Sequence, residues 1–258
     1  MQDLKLAWVQ THLYWENTSL NLEHLESLLT ATAPKCDLLL LPEMFTTGFT
    51  MNTSGNAASM HGPEVAWMQR MATKLNCVVA GSLHVEVDQK HYNRLLVVDG
   101  QGVRAWYDKR HLFAMAGEQE AYTPGSAQLV HRIGDWRINF QICYDLRFPV
   151  WARNTGNYDA LVYVANWPER RAFAWRHLLI ARAIENQSYV LGVNRIGRDG
   201  MELNYSGDSL CADPMGEVVA DSASKEGVFE ISLSASHLIK IREQLPFLRD
   251  ADHFTIDK

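Results

Sequence analysis

Two unbroken apolar runs, Leu38-Leu39-Leu40-Leu41 and Leu161-Val162-Tyr163-Val164, constrain this chain most. A strand with one wet face alternates apolar and polar residues, so a continuous run predicts a strand covered on both faces. Each run sits in the same order of neighbours. In the first half Leu4 to Gln10 reads as a strand. Asn21 to Thr30 then places Leu22, Leu25, Leu28 and Leu29 at helical steps. After the run, Pro63 stands where a first helical residue would, followed by Val65, Met68, Met71 or Ala72, and Leu75 on one face. Cys77 to Ala80 returns to strand, and Leu95 to Val98 with Val103 to Tyr107 flank the turn Asp99-Gly100-Gln101-Gly102 as a hairpin.

The second half repeats this order. Arg137 to Cys143 is a strand, Val150 to Asn154 a short helix, and Leu161 to Val164 the second covered strand. Phe173 to Asn186 is a long helix, Tyr189 to Asn194 a strand, and Ser209 to Ala212 with Glu217 to Ala220 a hairpin around Asp213-Pro214-Met215-Gly216. No Ser/Gly-rich linker separates the copies, so residues 1–258 are expected to form one domain. A sheet with helices on one face must bury its other face. Two such units bury theirs against each other, which predicts an α/β fold: a four-layer α-β-β-α sandwich with an internal pseudo-twofold, preferred here to one doubly wound sheet. Hairpins within each copy predict mixed sheets.

Composition narrows the partners. With 47% hydrophobic and 21% charged residues the chain is not of disordered type. Its 24 basic against 30 acidic residues give a formal charge of −6, which argues against nucleic acid or anionic membrane as a partner. Cys36, Cys77, Cys143 and Cys211 are widely spaced, as free thiols of a reducing compartment would be. The first residues show no secretory pattern, and no apolar run nears the ~20 residues that cross a bilayer. A cytoplasmic protein is expected.

Three stretches place a reactive group just beyond an apolar strand. In Leu41-Pro42-Glu43-Met44-Phe45 the carboxylate of Glu43 stands where α/β folds build sites, as a candidate general base; a loop cap or ion pair is the plain alternative. Tyr107-Asp108-Lys109-Arg110-His111-Leu112-Phe113 is a charge cluster between aromatics. Such runs are usually solvated loops, but a buried Lys109 would be a fixed charge able to stabilise an oxyanion. In Ile138-Asn139-Phe140-Gln141-Ile142-Cys143 alternate residues point into a core and Cys143 follows at the strand end. A sharp turn there would expose the sulfur and aim backbone N–H groups at its reaction partner. A buried, inert thiol is the commoner fate of a lone cysteine, and it is the one expected for Cys36, Cys77 and Cys211.

Together these stretches resemble the nitrilase superfamily of carbon–nitrogen hydrolases: Glu43 after its strand, Lys109 before His111-Leu112-Phe113, and Cys143-Tyr144-Asp145-Leu146-Arg147-Phe148-Pro149. The likeness extends through Arg182-Ala183-Ile184-Glu185-Asn186 and, with Tyr163-Val164-Ala165-Asn166-Trp167-Pro168, is strongest to bacterial omega-amidases. It implies the nitrilase four-layer sandwich and, for the site, Glu43 as base, Lys109 and the N–H of Tyr144 as oxyanion donors, and Cys143 as nucleophile. A second glutamate is implied before Pro124-Gly125; Glu118 fits best and Glu120 is its rival. The implied substrates are 2-oxoglutaramate and 2-oxosuccinamate, with no metal or organic cofactor.

A short substrate with a far carboxylate needs a cationic pocket end. Arg147 and Arg195 are candidates, though a salt bridge is the commoner role for each. Asn166 and Trp167 are expected to line the pocket, with core packing as the alternative for Trp167. The rival chemistries are another nitrilase-family amidase or a nitrile hydrolase acting on a small linear substrate, and a thiol-protease arrangement using His177 as base. A homodimer is expected, with Phe148–Trp151 and the tail from about residue 235 to 258, which carries Phe247 and Phe254, as contact surfaces.

Overall fold

The computed structural model describes residues 1–256; Asp257 and Lys258, the end of the expected contact tail, lie outside the described residues. The first half runs β1 (Leu4–Gln10), α1 (Thr18–Thr32), β2 (Leu38–Leu40), α2 (Pro63–Leu75), β3 (Val78–Val87), β4 (Lys90–Asp99) and β5 (Gly102–Asp108). A linking stretch carries α3 (Glu118–Ala121) and β6 (Leu129–Ile133). The second half runs β7 (Trp136–Ile142), α4 (Pro149–Ala152), β8 (Ala160–Ala165), α5 (Ala172–Asn186) and β9 (Tyr189–Asn194). A small hairpin, β10 (Ile196–Arg198) and β11 (Asn204–Ser206), precedes β12 (Leu210–Ala212) and β13 (Val218–Asp221). The chain closes with β14 (Gly227–Leu233) and α6 (Ala235–Gln244).

The strands form two six-stranded sheets, ordered β14-β1-β2-β3-β4-β5 and β6-β7-β8-β9-β12-β13. From β14 and from β6 alike, neighbouring strands pair antiparallel, parallel, parallel, antiparallel, antiparallel. The internal repeat is therefore a repeat of connectivity. Each sheet adds one edge strand that the sequence reading left unassigned. β6 precedes its repeat directly, whereas β14 crosses from the second half back to β1.

Alternate side chains of one strand enter different cores. Leu38 and Leu40 face the core between the sheets, with Trp8, Phe140, Val162 and Val164, while Leu39 and Leu41 pack under α1 and α2 with Leu25, Met68 and Met71. Leu161 and Tyr163 likewise pack under α5 with Trp175 and Leu179. These four layers explain the unbroken apolar runs, since neither face of β2 or β8 meets water. Close packing also fixes Gly192 of β9. A Cβ there would come within 2.4 Å of the Leu179 side chain, so the glycine lets α5 lie against the sheet.

Some boundaries differ from expectation. The strand placed at Cys77–Ala80 starts one residue later, at Val78, as the head of the ten-residue β3, and Leu95–Val98 is part of the ten-residue β4. Their connecting Asp88 and Gln89 both take positive φ, a tight turn made without the glycine that usually signals it. Cys143 lies outside β7 as the first residue of a 3₁₀ turn, Cys143–Arg147. The helix expected at Val150–Asn154 is α4, started by Pro149 and finished at Ala152. Asn154 instead uses its Oδ1 to accept Gly156 N and Asn157 N in the following turn.

Candidate active site

The reactive groups leave the carboxyl ends of four strands. Glu43 follows β2, Lys109 follows β5 directly, Cys143 follows β7 directly, and Asn166 follows β8 directly. Packing sheet on sheet brings these ends together. Lys109 Nζ donates to Glu43 Oε1 at 2.9 Å and to Glu118 Oε1 and Oε2 at 3.0 and 2.9 Å. Glu43, Lys109 and Glu118 side chains are fully shielded from solvent. Asn93 of β4 donates its amide to Glu43 Oε1 (2.8 Å) and Glu118 Oε1 (3.3 Å). Asn166 N donates to Glu43 Oε2 at 2.7 Å, and its side chain donates to the Glu43 carbonyl at 2.6 Å. Phe113 N donates to Glu118 Oε2 at 2.5 Å. Glu120, the rival glutamate, is exposed and, among the described residues, accepts only from neighbouring Gln119.

Desolvation sets the resting charges. Burial alone would lower the Lys109 pKa, but the Glu118 and Glu43 carboxylates outweigh it and hold the ammonium above its usual range. Burial raises Glu118, opposed by Lys109 and reinforced by Glu43. Burial also pushes the Cys143 thiol well up; Glu43 adds to this and Lys109 opposes it. Burial thus favours the thiol over the thiolate, and a thiol becomes a good nucleophile only once a base takes its proton.

Cys143 has φ 44°, a left-handed backbone unusual for a residue with a side chain. This bend turns the chain from β7 into the 3₁₀ turn and presents Sγ, which lies 3.9 Å from the Asn166 carbonyl. The first N–H groups of such a turn lack acceptors within it, and that of Tyr144, next in the chain after Cys143, is among them. Asp145, fully buried, fixes this corner. Its Oδ2 accepts Ile142 N (3.0 Å) and Tyr107 OH (2.7 Å), and its Oδ1 accepts His111 N (3.0 Å). It thus ties the segments on both sides of Lys109 to the residue before Cys143. Asp145 and Asn93 both escaped the sequence reading. Asp145 stood inside the quoted cysteine motif, but nothing in the pattern told that its carboxylate faces inward.

Lys109, Cys143, Tyr144, Asn166 and Trp167 share a cavity of about 610 Å³, roofed by Phe49, Phe113, Met115 and the β10–β11 hairpin residues Met201 and Leu203. Trp167 is only 3% exposed and belongs also to the core under α5, so pocket and packing roles coincide. A more open groove of about 750 Å³ lies elsewhere, along Asp37, Thr73, Asp99 and Trp136, and shares no residue with this cavity. No group of three or more His, Cys, Asp or Glu side chains able to hold a metal occurs among the described residues. No described helix is long and apolar enough to cross a membrane.

Other expected residues are placed differently. Arg147 lines the cavity, its guanidinium 4.9 Å from the Trp167 ring centre. Arg195 does not line it. It is buried with Nη2 donating to the carbonyls of Leu13 (3.0 Å) and Arg198 (3.2 Å), because the backbone around β10 needs donors there. His177 lies exposed on α5, stacked on Phe173 and outside the cavity. Phe148 and Trp151 are not a free surface: Phe148 stacks on His111, and buried Trp151 donates to Tyr107 OH. Phe247 and Phe254 are exposed.

Comparison with known proteins agrees with this architecture. The carbon-nitrogen hydrolase family model matches residues 5–243. The chain is 41% identical over 257 residues to omega-amidase YafV of Escherichia coli K12, covering 99% of this chain and all of that protein. It is 31% identical over 250 residues to a 2-oxoglutaramate amidase of Bacillus subtilis, covering 95% and 96% of the two chains. The crystal structure of XC1258 from Xanthomonas campestris, a CN-hydrolase superfamily protein with an arsenic adduct in its active site, superposes with a TM-score of 0.97 at 39% identity over the full length of both. With its two-sheet sandwich, its family match and these full-length relatives, the chain belongs to the carbon-nitrogen hydrolases of the nitrilase superfamily.

Proposed function

We propose that this protein is an omega-amidase, hydrolysing the terminal amide of short 2-oxo dicarboxylic monoamides such as 2-oxoglutaramate and 2-oxosuccinamate. One observation carries the chemistry: the shielded Glu43–Lys109–Glu118 network and Cys143 meet at one cavity wall. The full-length likeness to omega-amidase YafV and to a 2-oxoglutaramate amidase carries the substrate class.

Glu43 takes the thiol proton as Sγ bonds to the amide carbon, whose carbonyl becomes an oxyanion between Lys109 Nζ and Tyr144 N–H. Glu43 then gives that proton to the amide nitrogen, the C–N bond breaks, and ammonia leaves a thioester on Cys143. Water attacks the thioester, losing a proton to Glu43. The C–S bond breaks, the 2-oxo acid departs, and sulfur recovers its proton. Glu118 keeps Lys109 charged and in place, and helps orient the water. Each oxyanion donor is worth 10²–10³-fold in rate on the usual scale. No step calls for a metal or organic cofactor. The same reading carries a homodimer in the cytoplasm, with the exposed Phe247 and Phe254 near the contact; sedimentation at several concentrations tests the dimer.

The test is ammonia release from short monoamides, their nitriles and simple amides, with Cys143→Ala as blank. Turnover of the 2-oxo monoamides is expected, with a loss of about 10⁴-fold or more in Cys143→Ala. Turnover of nitriles alone, or full activity without the sulfur, overturns the reading.

A further inference from the structure

The cavity wall treats its anions and cations differently. Of its outer carboxylates, Asp199 accepts Met201 N (2.8 Å), Leu203 N (3.0 Å) and Tyr205 OH (2.8 Å), while Glu16 accepts from Asn52 (3.0 Å) and Thr50. Oxygens of both are thus taken by donors of the protein itself, Asp199 within its own hairpin and Glu16 from the loop after β2. The cavity's guanidiniums are not. Every other buried or half-buried arginine of the described residues donates to a protein oxygen: Arg94 and Arg137 to aspartates, Arg182 and Arg195 to carbonyls, and Arg110, Arg153, Arg176 and Arg242 likewise to oxygens. Half-buried Arg171 has no such acceptor.

Its placement is nonetheless fixed. Pro168 opens the 3₁₀ turn Glu169–Arg171, Arg171 N donates to the Pro168 carbonyl (2.9 Å), and the Arg171 carbonyl accepts Trp167 Nε1 (2.8 Å). The guanidinium lies over the Phe113 ring, 5.0 Å from its centre, and Arg147 lies over Trp167. A guanidinium held over a ring uses its charge there without using up its N–H donors, which a carboxylate can then pair with. Burial first, then the neighbouring charges of Arg170 and Arg147, hold Arg171 below its usual pKa, whereas the Cys143 sulfur nearby favours its charge. An anion in the cavity would relieve that strain. No carboxylate of the described residues supplies it.

We infer that Arg171, with Arg147 beside it, binds the carboxylate at the end of the substrate remote from the amide that Cys143 attacks. This assignment rests on the omega-amidase reading and names the group that enforces it. Requiring a carboxylate there would favour monoamides of dicarboxylic acids over simple amides of equal length, and would also let the dicarboxylate product compete for the site.

The experiment compares kcat/KM for glutaric monoamide with that for pentanamide in wild type, Arg171→Gln and Arg171→Lys. The wild type should favour the charged amide. Arg171→Gln should cut that ratio about 100-fold, chiefly through KM, the scale of a lost charge-assisted pair. Arg171→Lys, which keeps the charge but loses the fork, should fall between them. An equal loss on both substrates, or an unchanged ratio, overturns the assignment. A second readout separates it from the activity itself: protection of Cys143 from iodoacetamide by 2-oxoglutarate. If no monoamide is turned over by the wild type, the omega-amidase reading fails by itself. Protection that needs about 100-fold more 2-oxoglutarate in Arg171→Gln would still support the anion site, and equal protection would overturn it.

Discussion

The two halves of the molecule share one strand order and divide the chemistry. The first half and its link to the second supply charges: Glu43, Lys109 and Glu118, all shielded from solvent and bonded to one another. The second half supplies the bent cysteine, Cys143 at φ 44°, with Tyr144, Asn166, Trp167 and Arg171 around an open cavity. Where a chain encloses its ions it can hold their protonation fixed, and where it opens a cavity it can admit a substrate. Duplicating one fold and packing the copies face to face lets each half specialise while the strand ends still meet. The junction is physical: Asn166 at the end of β8 donates twice to Glu43 beyond β2.

The division is most open to attack at its base. Glu43→Gln keeps the shape and can still accept from Lys109, but it cannot take the thiol proton. It should lower kcat/KM for a 2-oxo monoamide by 10²–10⁴-fold, with the fold retained. If the first half only scaffolds the second, the loss will be less than about tenfold. A smaller effect is expected at the tie between halves. Asp145→Asn removes the charge that holds Tyr107, His111 and Ile142 together, so kcat should fall about 10-fold to 100-fold with KM nearly constant, and alkylation of Cys143 should slow alongside. A change in KM alone would place Asp145 in substrate binding instead.

The smallest effect concerns the first half's stability. Burial, with His91 adding, lowers His84 to about 4. A depressed folded pKa means that its neutral form stabilises the fold above the unfolded value near 6.5, and that this contribution is lost as pH falls from there through about 4. Melting temperature should therefore drop across that window, and His84→Gln should flatten the drop. An identical acid limb in both proteins would remove His84 from this account.

Much of this was legible in the chain. The doubly covered strands were readable because β2 and β8 meet no water, and Cys143 because Ile138, Phe140 and Ile142 set the alternation of β7. The edge strands β6 and β14 were harder. Their outer faces are only lightly packed, through Val130 and Val228, so His131, Arg132 and Glu230 dilute the pattern, although Phe229, Ile231 and Leu233 do alternate. Glu118 rested on resemblance rather than on any local signal. Arg171 was hidden in Glu169-Arg170-Arg171, a run that looks like solvated surface until Phe113 is seen beneath it. Arg195 misled in the opposite sense, because a lone arginine after an apolar strand gives no hint that backbone carbonyls will claim it.

The central claim is that a thiol of raised pKa becomes acylated because a carboxylate from the other half removes its proton. Acid-quenching the enzyme during turnover of 2-oxoglutaramate and measuring the mass of the Cys143 peptide tests it directly. The account predicts a covalent adduct equal to substrate minus ammonia on Cys143, absent when Glu43 is glutamine. An unmodified Cys143 throughout steady-state ammonia release, or an adduct that forms equally fast without the Glu43 carboxylate, would contradict it.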